Sequence, residues 1–317
     1  MRADPTLVPE SLVVPVDTGE RIHYLDWGRP EPADRPPLLL VHGLSATARH
    51  WTPIARRLAG RVHLLAPDLR GHGLSDAPRG GYDLESLAFD VLTVLTASGY
   101  GPDAGGAPAV VAGHGFGAQV AAAAGVLAPS AVAGVALVDG GWEDVAEVTG
   151  QEPAEFLRGL EEPPEVLRSM AAYLADRRDY DPASWDDDQE TAARAAVEEK
   201  HAGHVAPRTR PFALRGCVEA MFSYRPARTL SALEVPLLAL VAAAGTADDE
   251  EGRQRLLALE EIADRRTAAG RPPTVVRTLP GAGHNLMRYR PGEVAAALLQ
   301  LLESATPTSG GRRGGQA

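Results

Sequence analysis

The sequence predicts an α/β protein with a mostly parallel sheet, helices on both faces and one inserted helical segment. Short apolar, β-branched runs alternate with segments of helical periodicity, which is typical of strands joined by crossover helices. Residues 38–41 (LLLV) are apolar throughout, the pattern of a strand buried on both faces. Between residues 142 and 224 the strand pattern disappears, and a helix-prone stretch with scattered prolines takes its place. This stretch predicts an insertion into the α/β alternation.

The spacing of apolar residues and the positions of turn residues predict the individual elements. A turn at residues 17–20 predicts a hairpin between the first two strands. Strands are predicted at residues 11–16, 21–27, 38–41, 62–66, 109–111, 132–138, 236–242 and 274–279, and helices at 50–59, 84–97, 250–268, 293–302 and over the alanine run after residue 117.

These elements predict one α/β core interrupted by a lid. We predict a core from residues 11–141 and 225–304, a helical lid at 142–224, and flexible termini at 1–10 and 305–317. The C-terminal tail is rich in Gly, Arg, Ser and Pro, a composition that buries too little apolar surface to fold.

The composition of the 317 residues disfavours several classes of function. A net charge of −11 disfavours non-specific nucleic-acid binding and attachment to anionic lipid, which both need cationic surface. No apolar stretch approaches the roughly 20 residues of a membrane helix, and no apolar signal core follows Arg2. Cys217 is the single cysteine, so no disulfide can form within the chain. We therefore expect a cytoplasmic protein without nucleic-acid or membrane partners.

Residues 108–125 contain the motif around which the rest of the chain is organised. The apolar run ends at GHGFG (residues 113–117, called the elbow below), and an alanine-rich helical stretch follows. A strand, an abrupt glycine turn and a helix form the setting of the nucleophile elbow, G-x-S-x-G. Gly115 stands where that motif has serine, so the frame is present without the hydroxyl.

Six motifs in this order resemble the α/β-hydrolase superfamily of the lidded type. They are LLLVHG, PDLRGHGLSD, GHGFG, VDG, VPLLALVAAAGTADD and GAGHNL. Each motif is weak alone, but six in the right order are specific, and the resemblance covers residues 12–302. It implies an eight-stranded, mostly parallel α/β-hydrolase sheet, with the insertion as the lid.

The resemblance also implies a base and an acid. His284, in the GAGHN motif after the last strand, matches the general base of the family. The acid is expected on the loop after strand 236–242, which leaves Asp248 or Asp249, with Asp249 slightly better placed. Both could instead cap the helix that follows. Asp139 is a further candidate, because some members place the acid after the preceding strand, although it could equally be a turn residue before two glycines.

The oxyanion site and the substrate contacts are implied by position. The backbone amides of Leu44 and Phe116 match the oxyanion donors, and they do not depend on a serine. His42, Gly43 and His114 adjoin these amides and are predicted to contact substrate, although bracing of the loop is the simpler role for His42.

The glycine at position 115 leaves several functions open. Without a hydroxyl no acyl-enzyme can form there. Glycine adopts the strained backbone angles of an elbow freely, so the frame can persist. His284 and its acid could activate a water against an ester, lactone or thioester, or could transfer protons in a lyase or cyclase. Alternatively the chain is an inactive small-molecule-binding protein, or Ser45 or Cys217 supplies a displaced nucleophile.

The expected ligand is a small, neutral or hydrophobic molecule, because the lid of this fold usually covers an apolar pocket. No metal or other cofactor is expected. His201 and His204 lack a companion Cys or third His, and the G-x-G at the elbow lacks the further residues of a phosphate or dinucleotide loop. The sequence makes no prediction of oligomeric state.

Overall fold

The computed structural model describes residues 7–31, 35–160, 168–200, 203–243 and 250–305. Its strands are β1 (Glu10–Pro15), β2 (Arg21–Asp26), β3 (Leu38–Val41), β4 (Leu64–Pro67), β5 (Ala109–His114), β6 (Val132–Val138), β7 (Val197–Glu199), β8 (Val205–Pro207), β9 (Leu237–Ala243) and β10 (Thr274–Pro280). The α-helices are α1 (Thr52–Leu58), α2 (Leu84–Ala97), α3 (Phe116–Leu127), α4 (Val145–Thr149), α5 (Pro153–Leu160), α6 (Met170–Tyr180), α7 (Asp187–Ala196), α8 (Pro211–Ser223), α9 (Pro226–Ala232), α10 (Glu250–Ala268), α11 (Leu286–Tyr289) and α12 (Pro291–Ala305).

Eight strands form one sheet in the order β1-β2-β4-β3-β5-β6-β9-β10. β1 and β2 form an antiparallel hairpin, and β2 is antiparallel to β4. The strands from β4 to β10 across the rest of the sheet run parallel to their neighbours. The predicted fold class, a mostly parallel eight-stranded α/β-hydrolase sheet, is confirmed. Because β5, β6, β9 and β10 are parallel, the loops after them meet at one edge of the sheet.

Helices cover both faces of the sheet, and the core is divided accordingly. The alternation along β5 shows this division: Ala109 and Val111 belong to one apolar cluster, and Val110 and Ala112 belong to the other. Residues of α2, α3 and α9 pack into the first cluster, whereas residues of α1 and α12 pack into the second. The central strands therefore present apolar side chains on both faces, as continuous apolar runs predict.

The segment between β6 and β9 contributes no described strand to the large sheet. Its described residues contain six α-helices, α4 to α9, and the short antiparallel pair β7 and β8. The prediction that this segment lacks strands is therefore wrong for β7 and β8. Each has only three residues, too few for a period-2 pattern to be visible in the sequence.

The predicted flexible termini lie largely outside the described residues. Where they are described, Glu10 begins β1 and Ala305 ends α12, so the predicted boundaries differ slightly from the observed ones. None of the described helices has both the length and the apolar character needed to cross a bilayer.

Candidate active site

The elbow is a one-residue turn between β5 and α3. β5 ends at His114 and α3 begins at Phe116, so the chain reverses direction at Gly115 alone. Gly115 has φ 54° and ψ −117°, a combination that is strained for any residue with a Cβ atom. Glycine adopts these angles without strain, and so the turn forms at low conformational cost.

The three glycines of the elbow are required for different reasons. A Cβ atom on Gly113 would lie 2.0 Å from the carbonyl oxygen of Gly117, and one on Gly117 would lie 2.4 Å from the carbonyl oxygen of His42. Both positions therefore need glycine for close backbone packing. A Cβ atom on Gly115 would meet only the ring of His284, with Nε2 at 3.2 Å. A side chain at position 115 would thus point at Nε2 of His284.

His284 lies on the loop after β10 and is bonded to Asp139, which follows β6. Nδ1 of His284 donates a hydrogen bond of 2.7 Å to Oδ2 of Asp139, and the His284 side chain is 64% exposed while that of Asp139 is 3% exposed. The bond at Nδ1 leaves Nε2 directed at the elbow. The structure therefore brings together a histidine, a buried carboxylate and the backbone of Gly115.

The surroundings of Asp139 hold its carboxylate in the charged form. Burial opposes the charge, but the hydrogen bond from His284, the guanidinium of Arg255 and the amide of Ala242 together hold the pKa of Asp139 below its usual value. Oδ1 accepts from the Ala242 amide at 2.8 Å and from Nη2 of Arg255 at 2.9 Å. Asp139 has φ 47°, a left-handed conformation that Asp tolerates better than most residues. The carboxylate is thus fixed in position by three donors.

Asp248 and Asp249, the acids expected first from the sequence, lie outside the described residues. Among the described acids, Asp139 alone is within hydrogen-bond distance of His284. Arg255, which binds Asp139 and also donates to Glu143 at 2.9 Å, was not predicted. It lies on the charged helix α10, where no sequence pattern distinguishes it from its neighbours.

His114 supports the loop that carries His284. Its Nε2 donates a hydrogen bond of 3.0 Å to the carbonyl oxygen of His284, and the two rings lie 4.4 Å apart between centroids. Burial, with a smaller contribution from the charge of His284, lowers the pKa of His114 to about 3. His114 is therefore neutral at physiological pH and donates through Nε2–H.

The predicted oxyanion amides lie beside this group. Leu44 and Phe116 line the same cavity as Gly115 and His284. Phe116 is the first residue of α3, and the opening amides of a helix have no partner within it. In the part of the chain that the structure describes, neither amide donates to another backbone group. Both amides can therefore donate to a substrate oxygen.

The prediction that His42 contacts substrate needs correction. His42 is fully buried and does not line the cavity, whereas Gly43 and His114 do. Its Nδ1 donates to the carbonyl oxygen of Gly43 at 2.8 Å, and its Nε2 accepts from the amide of Leu69 at 2.9 Å. Burial lowers its pKa to about 4, consistent with this neutral tautomer. His42 braces its loop with both ring nitrogens.

A cavity of about 1260 Å³ opens above the elbow. It is lined by loops of the sheet, with Gly115, Asp139 and His284, and by residues of α6 and α7. Among the residues described, no three His, Cys, Asp or Glu side chains come close enough to hold a metal ion.

The two displaced nucleophiles considered from the sequence differ in position. Cys217 is fully buried in the core and does not line the cavity, and burial raises the pKa of its thiol to about 12. A buried, protonated thiol is a poor nucleophile. Ser45 does line the cavity, but its hydroxyl is bonded to no described histidine that could activate it. The structure supports neither residue as a nucleophile.

Comparison with known proteins identifies relatives that match part of the chain. Human epoxide hydrolase 4 is 32% identical over 121 residues, which cover 38% of this chain and 31% of that protein. The 2-(acetamidomethylene)succinate hydrolase of Mesorhizobium japonicum is 31% identical over 109 residues, which cover 34% of this chain and 37% of that protein. The matched stretch thus spans about a third of these relatives.

The fold is shared with a solved structure over nearly the whole length of this chain. The crystal structure of E-2-(acetamidomethylene)succinate hydrolase superposes with a TM-score of 0.72 at 21% identity, covering 93% of this chain and all of that one. At this identity the likeness shows the fold alone. The model of the alpha/beta hydrolase family matches residues 38–297, which is most of the chain. The chain therefore belongs to the alpha/beta hydrolase family.

Proposed function

We propose that the protein hydrolyses a small ester, lactone or thioester with a water molecule that His284 activates beside Gly115. The proposal rests on the position of His284. Nδ1 of His284 is bonded to a buried carboxylate at 2.7 Å, and Nε2 lies 3.2 Å from the point where a side chain at position 115 would begin. A water resting against the bare Cα of Gly115, on the side toward that nitrogen, would be within hydrogen-bond distance of the base.

The reaction then follows from the positions of the groups. Nε2 of His284 takes a proton as the water oxygen bonds to the acyl carbon of the substrate. The amides of Leu44 and Phe116 donate to the oxyanion that forms. When this intermediate collapses, the bond to the leaving group breaks, and Nε2–H returns the proton to the departing alkoxide or thiolate. The products are a carboxylic acid and an alcohol or thiol.

Asp139 is the positioning residue in this proposal and replaces Asp248 and Asp249 in that role. Its carboxylate fixes the tautomer of His284 that leaves Nε2 free to accept a proton, and it stabilises the imidazolium formed during attack. The three donors around Asp139 keep it ionised throughout. Gly115 supports the reaction by leaving room for the water rather than by chemistry of its own.

The names of the similar proteins support hydrolysis but do not identify a substrate. Two of them are an epoxide hydrolase and a hydrolase of 2-(acetamidomethylene)succinate. Water is the co-substrate in hydrolysis of either kind, so a base that activates water is the shared requirement. The absence of a hydroxyl at position 115 rules out a covalent ester there, and this favours direct attack by water.

The test is a panel of 4-nitrophenyl esters, thioesters and lactones assayed with wild type and His284→Ala. We expect slow turnover by wild type without a burst, and a loss of 100-fold or more in kcat for His284→Ala. His204→Ala is the matched control, since His204 does not line the cavity. Turnover that is equal in wild type and His284→Ala would contradict the proposal. Ligand binding without any turnover would favour the inactive binding protein, and elimination or cyclisation products would favour a lyase or cyclase.

A further inference from the structure

The wall of the cavity is more basic than the chain as a whole. Among described residues the lining includes four arginines but only two carboxylates, namely Arg177, Arg253, Arg255, Arg288, Asp139 and Glu143. Arg255 bonds to both of those carboxylates. The chain carries a net charge of −11, so an excess of positive groups inside its main cavity is a local feature. It contrasts with the neutral, apolar ligand that the sequence predicts.

Arg288 is held in place by neutral groups. It is four residues beyond His284, and its Nε donates to Oγ of Ser184 at 2.6 Å while Nη2 donates to the carbonyl oxygen of Asp181 at 2.8 Å. Its guanidinium lies 5.8 Å from the ring of Trp185 and 5.6 Å from that of Tyr289. These contacts fix the orientation of the guanidinium without neutralising its charge.

The described surroundings leave part of Arg288 available. Nη1 makes no hydrogen bond to any described group. Asp181, whose backbone carbonyl Arg288 binds, has a carboxylate that accepts from Oγ of Ser184 and from the amide of Ala183. The hydrogen bond from Ser184 lowers the pKa of Asp181 most, and the charge of Arg288 adds to that effect. Arg288 is thus oriented, charged and able to donate into the cavity.

Arg177 provides a second positive charge in the cavity lining. It lies in the last turn of α6, with its guanidinium 5.1 Å from the ring of Tyr173, and it forms no ion pair with a described residue. Burial lowers the pKa of His50, and the Arg177 charge lowers it further. His50 also lines the cavity, so the charge of Arg177 acts on another group of the same lining.

We propose that the cavity binds a carboxylate of the substrate through Arg288 and Arg177, so that the substrate is a small anionic acyl compound. Guanidinium groups bind carboxylates through paired, charge-assisted hydrogen bonds. Two guanidinium groups in the same lining would bind the anion and hold the acyl group against the elbow. This inference rests on the proposed hydrolysis for the identity of the reacting group, but binding of the anion can be measured without turnover.

The kinetic test compares two esters that differ only at the far end of the acyl chain. Mono-4-nitrophenyl adipate carries a carboxylate where 4-nitrophenyl hexanoate carries a methyl group. We expect wild type to favour the anionic ester at least tenfold in kcat/KM, and Arg288→Gln and Arg177→Gln each to reduce this preference about tenfold. Arg178→Gln is the matched control, because Arg178 adjoins Arg177 on α6 but does not line the cavity.

A binding test separates this inference from the proposed function. Calorimetry with hexanoate and hexanamide compares an anion with a neutral amide of the same length. Tighter binding of hexanoate that is lost in Arg177→Gln supports the anion site even if no ester is hydrolysed. Hydrolysis of both esters at equal kcat/KM, with equal binding of hexanoate and hexanamide, would overturn the anion site and leave the hydrolase intact. Arg177 is exposed, so its variant tests the inference even if Arg288→Gln does not fold.

Discussion

Nδ1 of His284 lies 2.7 Å from Oδ2 of Asp139, although the two residues are 145 positions apart in the chain. The pairing depends on the strand order, which places the loop after β6 near the loop after β10, with β9 between them. Asp139 reaches past this intervening strand and also accepts from the amide of Ala242 near its end. One carboxylate therefore links the loop after β6, the end of β9 and the loop after β10.

The first prediction concerns the identity of the acid. Asp139→Asn is expected to lower kcat by 100-fold or more, because an amide cannot hold the same tautomer of His284 or stabilise its imidazolium. Asp248→Asn and Asp249→Asn, the acids expected from the sequence, are the matched variants and should retain activity within about threefold. Steady-state kinetics on the most reactive ester of the panel measures all three. A large loss in Asp249→Asn together with normal turnover by Asp139→Asn would assign the acid to the segment after β9.

The second prediction concerns pH and stability. The pKa of Asp139 is lower in the folded chain than in the unfolded chain, where it is about 3.9. Its contribution to the free energy of unfolding is therefore fully present above that unfolded pKa and is lost as the pH falls through the folded value. Urea unfolding of wild type and Asp139→Asn between pH 6 and pH 3 should show a difference that shrinks toward low pH. A difference that grows at low pH would contradict the charged, paired state of Asp139.

The third prediction separates the three glycines of the elbow. Gly113→Ala and Gly117→Ala place a Cβ atom against backbone at 2.0 Å and 2.4 Å, and neither contact can relax without moving β5 or α3. We expect each to lower the free energy of unfolding by about 3 kcal/mol or more, at the upper end of overpacking costs. Gly115→Ala meets only the His284 ring and should cost about 1–3 kcal/mol of backbone strain. Equal losses at the three positions, measured by denaturant unfolding, would show that the elbow is packed differently.

The sequence predicted the sheet well because its signals are strong and local. The bounds of β3, α2, β6 and α10 agree with the structure to the residue, since each run has clear ends in the sequence. The six ordered motifs predicted the family for the same reason. β7 and β8 were not predicted, because a strand of three residues is too short to show a period-2 alternation of apolar and polar residues.

The candidate site was predicted less completely, because its geometry depends on which loops meet. His284 and Gly115 were identified from motifs, whereas the acid was left open among Asp248, Asp249 and Asp139, since a carboxylate after either of two neighbouring strands can reach the same histidine. The available signal in the sequence was the pair of glycines that follows Asp139. The structure explains the first of them, because a Cβ atom on Gly140 would lie 2.8 Å from Cα of Gly115. Nothing in the sequence distinguishes Arg177 or Arg288 from the other arginines, because the cavity that they line forms only in the folded chain.

The central claim is that the elbow, its oxyanion amides and the His284–Asp139 pair form an assembled hydrolytic site that lacks only a side chain at position 115. Gly115→Ser tests it, with Gly115→Ala as the control that carries the same backbone strain without a hydroxyl. We predict that Gly115→Ser hydrolyses 4-nitrophenyl esters with a burst, and that an organophosphate labels Ser at position 115 in a His284-dependent manner, as seen by mass spectrometry. Folded Gly115→Ser protein that shows neither label nor burst would contradict the claim.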